Sequence, residues 1–363
     1  KHHLISYDTR LVIWLVNNHL TMSSVAQRED IRDPVVVNRF ARLVEDPVRL
    51  DYLFLLTVCD IRGTNPELWN NWKHTLLMQL YYSTRRAQQR GLQDPLERAE
   101  HILQVQQEAR RLLGSIAPPV ERPDDIWQNI DEEYFQRHSP DQVAWHTRLL
   151  AGLQDANASI VSVQPVTERG STEIFIYARA SDELFTLITA VLDQLGLDVV
   201  DAGITTTHDG HVLNTFHVLE TSGEPAGDDL RVEEIRSALL REIEYGGRDE
   251  WHVSRRIPRE YRHFPIQTRI EFKRDEGDSR TIMELITSDH PGLLSQVGKA
   301  FIECKVRLLN AKIITLGSRA EDIFYITDRN NRPIKDAGQI ECLEKALHKH
   351  LDKKQDEAPV LFH

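Results

Sequence analysis

Asp60 is the carboxylate in this sequence whose surroundings most demand a chemical partner. It lies near the end of a run beginning at Pro47 in which Val48, Leu50, Leu53, Phe54, Leu55, Leu56, Val58 and Ile61 fall on nearly every side of a helix. A helix apolar all round predicts burial. A carboxylate on it must then be ion-paired, hydrogen-bonded or metal-bound, because an isolated buried charge is too costly. Arg62 supplies the ion-pair alternative. A hard divalent ion with oxygen and imidazole ligands would instead activate water against a phosphodiester. A second chemically suggestive stretch, Asp289-His290-Pro291-Gly292-Leu293-Leu294, leads from a strand into a helix. The first turn of a helix offers unpaired backbone N–H groups to a carboxylate. Gly292 permits close approach, and Pro291 fixes the way in without donating a hydrogen bond. Asp289 either caps the helix or accepts from an ammonium group. The plainer alternative makes Asp289 only a cap and Gly292 only a turn residue.

The elements that must position these residues divide the chain. Residues 1–114 read as helices. Asp46-Pro47, Asn65-Pro66 and Asp94-Pro95 each pair an N-cap with a proline at the first helical position, and Gly91 and Gly114 suit helix stops. From Pro66 to Arg90, Leu68, Trp72, Leu76 and Leu80 recur every fourth residue, widened by Trp69 and Leu77, which predicts an amphipathic helix. Residues 115–169 read as a connector, polar and aromatic, carrying His138 and His146. Beyond it, short apolar strands alternate with amphipathic helices. Phe175 to Phe185 has a counterpart in Met283 to Leu294, Leu197 to Thr207 in Val306 to Leu316, and Asn214 to Val218 in Asp322 to Ile326. Each copy reads strand, helix, strand, hairpin, strand, helix, with a final strand clear only in the first copy, at Thr268 to Phe272. The expected copies span 170–273 and 280–352, followed by a solvated tail, 353–363. His208 and His211 flank an Asp209-Gly210 hairpin turn and read as exposed loop residues.

The 363 residues exceed one ordinary core. A formal net charge of -12 argues against a sequence-independent grip on nucleic acid and against an anionic membrane surface. No apolar stretch is long enough to span a bilayer. Cys59, Cys304 and Cys342 are few and widely spaced without a C-x-x-C motif, which argues against zinc and against a disulfide framework and suggests a reducing cytoplasm. The first residue is Lys, close to a helix, so a preceding segment is expected.

The repeat resembles the ACT domain, giving an expected α+β fold: an all-helical part followed by two ferredoxin-like βαββαβ domains. ACT domains bind amino acids where two copies meet, and the resemblance makes Asp289, His290, Pro291, Gly292, Leu293 and Leu294 the binding loop, with Asn310 and Ala311 lining the same pocket. The first copy has Asp182-Glu183-Leu184-Phe185 and no Pro-Gly, so cap and core are the expected roles there. Three further stretches resemble the bacterial uridylyltransferase/uridylyl-removing family: Trp14 to Ser23 with Ala26 to Ile31, Leu56 to Asn70, and Tyr134 to Thr147. That resemblance implies a nucleotidyltransferase domain, an HD phosphohydrolase domain and two ACT domains. It implies transfer of UMP from UTP to the signalling protein PII and its removal, glutamine as signal, and Mg2+ or Mn2+ in the full-length enzyme. Asp60 falls at the family's last metal-binding carboxylate. His19 falls at the second place of a His-His pair whose first place is here Asn18. No transferase motif and no His-Asp pair are present, so the chain reads as a C-terminal portion, catalytically incomplete and holding no metal tightly. Two other readings remain: a stand-alone amino-acid-binding regulator, and a guanosine-tetraphosphate hydrolase of HD/ACT type, which should carry additional domains in place of the short connector.

Overall fold

The computed structural model describes residues 5–66, 69–91, 98–115, 118–153, 155, 158–245, 266–275 and 279–352. His2, His3, Glu67, Leu68, Asp94, Pro95 and the tail lie outside them. The chain forms two compact units.

The first unit is helical. It comprises α1 (Ser6–Asn18), α2 (Thr21–Arg28), α3 (Pro34–Val44), α4 (Pro47–Thr64), α5 (Asn71–Arg90), α6 (Arg98–Ser115), α7 (Pro123–Trp127), α8 (Glu132–Arg137) and α9 (Pro140–Ala151). Side-chain caps start several of them. Asp33 accepts from Val35 N, and Asp46 accepts from Arg49 N, each ahead of a proline. Asn70 accepts from Lys73 N, so α5 begins at Asn71 rather than at Pro66, and Asn65-Pro66 is a break between helices. Gly91, at φ +106°, ends α5 as expected, whereas Gly114 lies inside α6. The residues read as a connector instead fold as α7, α8 and α9, with the first strand of the second unit. A capping box joins Ser139 and Gln142 at the start of α9. Trp127 Nε1 donates to Thr147 Oγ1 at 2.8 Å, and Tyr134 OH lies 2.7 Å from His146 Nδ1, so buried polar groups tie these short helices together. His138 and His146 are therefore core residues of the helical unit.

The second unit carries the repeat. Its elements are β1 (Ile160–Gln164), β2 (Thr172–Arg179), α10 (Leu184–Gln194), β3 (Leu197–Thr206), β4 (His211–Glu220), α11 (Asp229–Tyr245), β5 (Arg269–Arg274), β6 (Thr281–Ser288), α12 (Leu293–Glu303), β7 (Arg307–Lys312), β8 (Thr315–Leu316), β9 (Arg319–Thr327) and α13 (Ala337–Leu351). The described strands make one sheet in the order β1-β2-β4-β3-β7-β9-β6-β5, with β8 on β9. The strand expected to close the first copy is β5, and it pairs with β6 of the second copy. The first copy's outer place beside β2 is taken by β1, from the expected connector. Each ferredoxin-like copy thus receives its outer strand from the residues that precede it.

One apolar core runs along the helix-covered face of both copies, through Ile174, Ile176, Ile188, Phe216, Met283, Val297, Phe324 and Leu347. Helices α10 and α12 meet at Gly298, where a Cβ would stand 2.3 Å from Thr186 Oγ1 and 3.2 Å from Phe185 Cδ1. At the far end of α12, Cys304 is bonded to Cys342 of α13, with Cα atoms 5.8 Å apart. This corrects the expectation of no disulfide: the two lie 38 residues apart, and only helix packing brings them together.

Overpacking the α10–α12 crossing should be felt by the whole unit. Gly298→Val is expected to destabilise the protein by about 1–3 kcal/mol, read as a lowered midpoint in guanidinium unfolding. A midpoint equal to wild type would mean the crossing is loose.

Candidate functional site

Asp60 emerges exposed, not buried. Helix α4 buries only Leu50, Leu53 and Thr57, whereas Val48, Tyr52 and Leu55 are exposed. The apolar pattern foretold a helix wrapped on all sides, but in this chain α4 is covered along one stripe. Asp60 therefore needs no buried partner. His19 is also exposed, at the C-cap of α1, and its Nδ1 lies 2.8 Å from Val16 O. No group of three or more His, Cys, Asp or Glu among the described residues could hold a metal. The residues present do not fit a complete hydrolytic metal shell, and no step is derived through one.

The loop Asp289–Leu294 lies between β6 and α12, as the repeat predicted. Gly292 is the N-cap of α12, at φ +80°, and no side chain caps the helix. Asp289 is thus not the cap; its N–H donates to Ser318 O at 2.8 Å. The left-handed conformation favours glycine on steric grounds; glycine offers no side-chain acceptor to the first turn of α12, in which the Leu293 N–H donates to His290 O at 3.1 Å. Asp289, His290, Pro291 and Leu294 are half-buried, Leu293 is buried, and His290 Nδ1 lies 3.2 Å from Pro291 O.

Asn310 and Ala311 are not brought to that loop. Asn310 faces Tyr325, which faces Ile282, six residues before Ser288. At strand spacing that separation is about 20 Å. Both residues instead sit at the junction of the copies, Ala311 opposite Ala202 and Asn310 opposite Gly203.

The residue nearer the second loop is Asp322 of β9, which the sequence reading passed over. It faces Leu285, is fully buried, and accepts from Ile314 N at 3.3 Å through Oδ1, while Oδ2 has no hydrogen-bond partner. Burial pushes its carboxyl well above the usual range, the Ile314 N–H opposes this, and the charges of Asp289 and Glu321 add to the rise. Its counterpart in the first copy is Asn214 of β4, facing Ile176. Each stands three residues short of the strand end that opens its loop.

A cavity of about 160 Å³ lies at the first copy's loop, where α12 and β7 of the second copy close over it. That is room for a small metabolite rather than a single water. Asn214, Thr186, Asp182, Lys305, Arg307 and Arg329 are among its polar lining residues. Phe185 lines it as well, and Asp182 pairs with Arg329 at 3.0 Å. The expectation that this loop serves only as cap and core missed the contribution of the second copy. His211, expected to be exposed, is buried and stacked on Tyr177 with centroids 4.8 Å apart.

Residues 97–149 match the family model described as the uridylyltransferase GlnD fifth domain, the stretch that folds as α6 to α9. The bifunctional uridylyltransferase/uridylyl-removing enzyme of Methylococcus capsulatus is 44% identical over 347 residues, covering 96% of this chain and 40% of the relative. That of Stutzerimonas stutzeri is 41% identical over 366 residues, 99% of this chain and 40% of the relative. The Pseudomonas fluorescens Pf-5 enzyme is 40% identical over 355 residues, 97% and 39% respectively. The chain spans about 40% of the length of these relatives.

Asp322 generates a pH prediction. An unfolded chain ionises this carboxyl above its ordinary value of 3.8, whereas burial in the fold shifts its ionisation to higher pH. The fold therefore loses stability as pH rises from that value toward the raised one. Asp322→Asn removes the ionisation, so its stability gain over wild type should be larger at roughly pH 8 than at roughly pH 5. Urea unfolding at both values tests this; a gain independent of pH would place the carboxyl in contact with water.

Proposed function

We propose, from the premise that this chain belongs to the family of bifunctional uridylyltransferase/uridylyl-removing enzymes, that it is the part of such an enzyme that senses glutamine. The family's enzymes carry transferase and uridylyl-removing activities by name; here UTP and PII are substrates of the intact enzyme, working in the cytoplasm with Mg2+ or Mn2+. Among the described residues no helix is long and apolar enough to cross a membrane.

The observation that carries the sensing role is the glycine-capped start of α12. The ligand's carboxylate takes the N–H groups of Leu294 and Ser295 in the first turn, the Leu293 N–H being donated to His290 O, and Asp289 faces its ammonium group. His290, Pro291, Leu293 and Leu294 shape the same loop, and Asn310 and Ala311 act at the junction between copies. The helical unit supports the wider reading in a different way. Val12, Ile13, Val16 and Leu20 on and beside α1, with Tyr52 and Leu55 on α4, are exposed apolar side chains, as expected of a helical layer that packs against further protein. Asp60 and His19 belong to that layer, as contributors to a hydrolase site built largely from other residues.

Glutamine should bind this chain with a Kd on the order of micromolar to millimolar. Gly292→Val is an unsuitable probe, because a β-branched residue at φ +80° is itself strained. Asp289→Ala is cleaner, and calorimetry should show glutamine affinity reduced about tenfold, the order of one charge-assisted hydrogen bond. Unchanged affinity would remove the loop as the contact. The purified chain should transfer no label from UTP to PII; labelled PII would refute the reading that transfer requires residues other than these.

A further inference from the structure

We propose that Cys304 and Cys342 form a reversible thiol–disulfide pair that sets how firmly α13 holds α12, so that the second copy answers to redox poise as well as to ligand. The effect on ligand affinity rests on the reading of the second loop as a glutamine contact; the opening and closing of the bond does not.

The bond joins the C-cap residue of α12 to the second turn of α13 and closes a loop of chain that contains β7, β8 and β9. In a cytoplasm that keeps thiols reduced, a bonded cysteine pair is more often a redox sensor than a permanent brace. Non-covalent ties hold the same two helices together when the bond is open. Gln339, one turn before Cys342, donates through Nε2 to the carbonyls of Cys304 at 3.0 Å and Lys305 at 3.2 Å. Lys349 Nζ of α13 lies 2.6 Å from Glu303 Oε1 of α12. The end of α12 is also closed on itself. Lys305 is left-handed, the Val306 N–H donates to Phe301 O at 2.9 Å, and the Lys305 N–H donates to Ile302 O at 3.2 Å, the two bonds of a Schellman turn. The thiols therefore stay close after reduction, and the bond re-forms without refolding the copy.

Exposure assigns the two sulfurs different roles. Cys304 is 5% exposed, whereas Cys342 is half-buried, so Cys342 is the one that a low-molecular-weight disulfide reaches first. Its thiolate attacks one sulfur of that disulfide, which breaks the S–S bond and releases one thiolate. Cys304 then loses its proton and attacks Cys342 Sγ, displacing the second thiolate. Two protein thiols are oxidised, one small disulfide is reduced, and the two protons end on the two released thiols. Cys304 stands at the C-terminal end of a helix, where the dipole disfavours a thiolate, which suits the second attack rather than the first. Cys59, the remaining cysteine, is exposed and belongs to the helical unit.

Closure acts on the second loop through α12. The helix runs from its N-cap, Gly292, to the bonded residue in about three turns. Its middle is set against α10 at Gly298, and its far end against α13 by the bond. With the bond open, α13 parts locally from α12 more often. A ligand that needs an ordered first turn then bears part of the ordering cost itself. With the bond closed, that cost is met before the ligand arrives. The first copy has Leu195 at the C-cap of α10, where the second has Cys304 at that of α12, and it contains no cysteine. Only the second copy therefore carries the device.

Glutathione buffers test this on the chain carrying Cys59→Ser, in which only the pair remains to be counted. After acid quenching and alkylation, mass spectrometry should find both thiols free at the reducing poise of a cytoplasm and neither free at the more oxidising poise of a secretory compartment. A bond that persists in the first buffer, or fails to form in the second, overturns the inference. Hydrogen exchange of the α13 amides should slow by about tenfold on oxidation. Glutamine calorimetry should give an affinity at least about fivefold higher for the oxidised than for the reduced chain, and Cys342→Ser should match the reduced chain in both buffers. The reduced chain carries the comparison even where the variant folds poorly. Equal glutamine affinity in the two states, or equal exchange, overturns the inference. No glutamine heat in either state, with thiol count and exchange changing as expected, overturns the sensing reading and leaves the redox pair standing.

Discussion

The pairing of β3 with β7 is the constraint on which the second unit depends. Three residue pairs, Asp201 with Lys312, Ala202 with Ala311 and Gly203 with Asn310, join a four-stranded and a five-stranded arrangement into a continuous sheet. Without it, β3 and β7 would each be an open edge of a small sheet, with backbone groups available to any other chain. The junction is built for close approach, from alanine against alanine and glycine against asparagine, and it is flanked by the nearly buried ion pair of Lys312 Nζ and Asp201 Oδ1 at 3.0 Å. A buried ion pair adds little net stability, but either charge left alone would be costly. Its effect is to penalise any register in which the two do not meet.

That register places everything else. It brings the start of β7 beside the end of β3, where Arg307 reaches Thr206, and so roofs the first copy's loop with residues of the second. It also sets α10 against α12 on the covered face, at a distance only a glycine allows. A cavity between copies is a consequence of the sheet junction, since neither copy encloses it alone.

The sequence made much of this legible and left the rest to tertiary packing. The repeat was readable because Asn214 to Val218 and Asp322 to Ile326 share an amide or acid, then Phe two residues on and a branched apolar residue four on, and they occupy equivalent strands, β4 and β9. Outer strands were misassigned because β1 and β5 precede their copies, and short strands at the edge carry little periodicity: β5 buries almost nothing. The start of α5 was missed because Asn65-Pro66 and Asn70 are both good caps, and sequence alone cannot rank them. The burial expected of Asp60 failed for a different reason. All-round apolarity records what a helix is prepared to touch, not what this chain provides to touch it. The cavity was invisible because its lining comes from Asn214, Thr186 and Arg307, which lie far apart in sequence and meet only across the junction.

Duplication within one chain also permits a difference that symmetric association forbids. When two identical protomers meet about a two-fold axis, each site is a copy of the other, and a substitution changes both. Here the corresponding positions have separate codons and have separated in chemistry: Asn214 against Asp322, Arg307 against Asp198, Lys305 against Gly196. The geometry is retained in both copies, down to the left-handed residue before each inner strand, while the side-chain chemistry differs. Conservation of backbone with a change of side chain lets the two positions differ in what they accept, since the shared sheet holds both in fixed relation while the side chains vary.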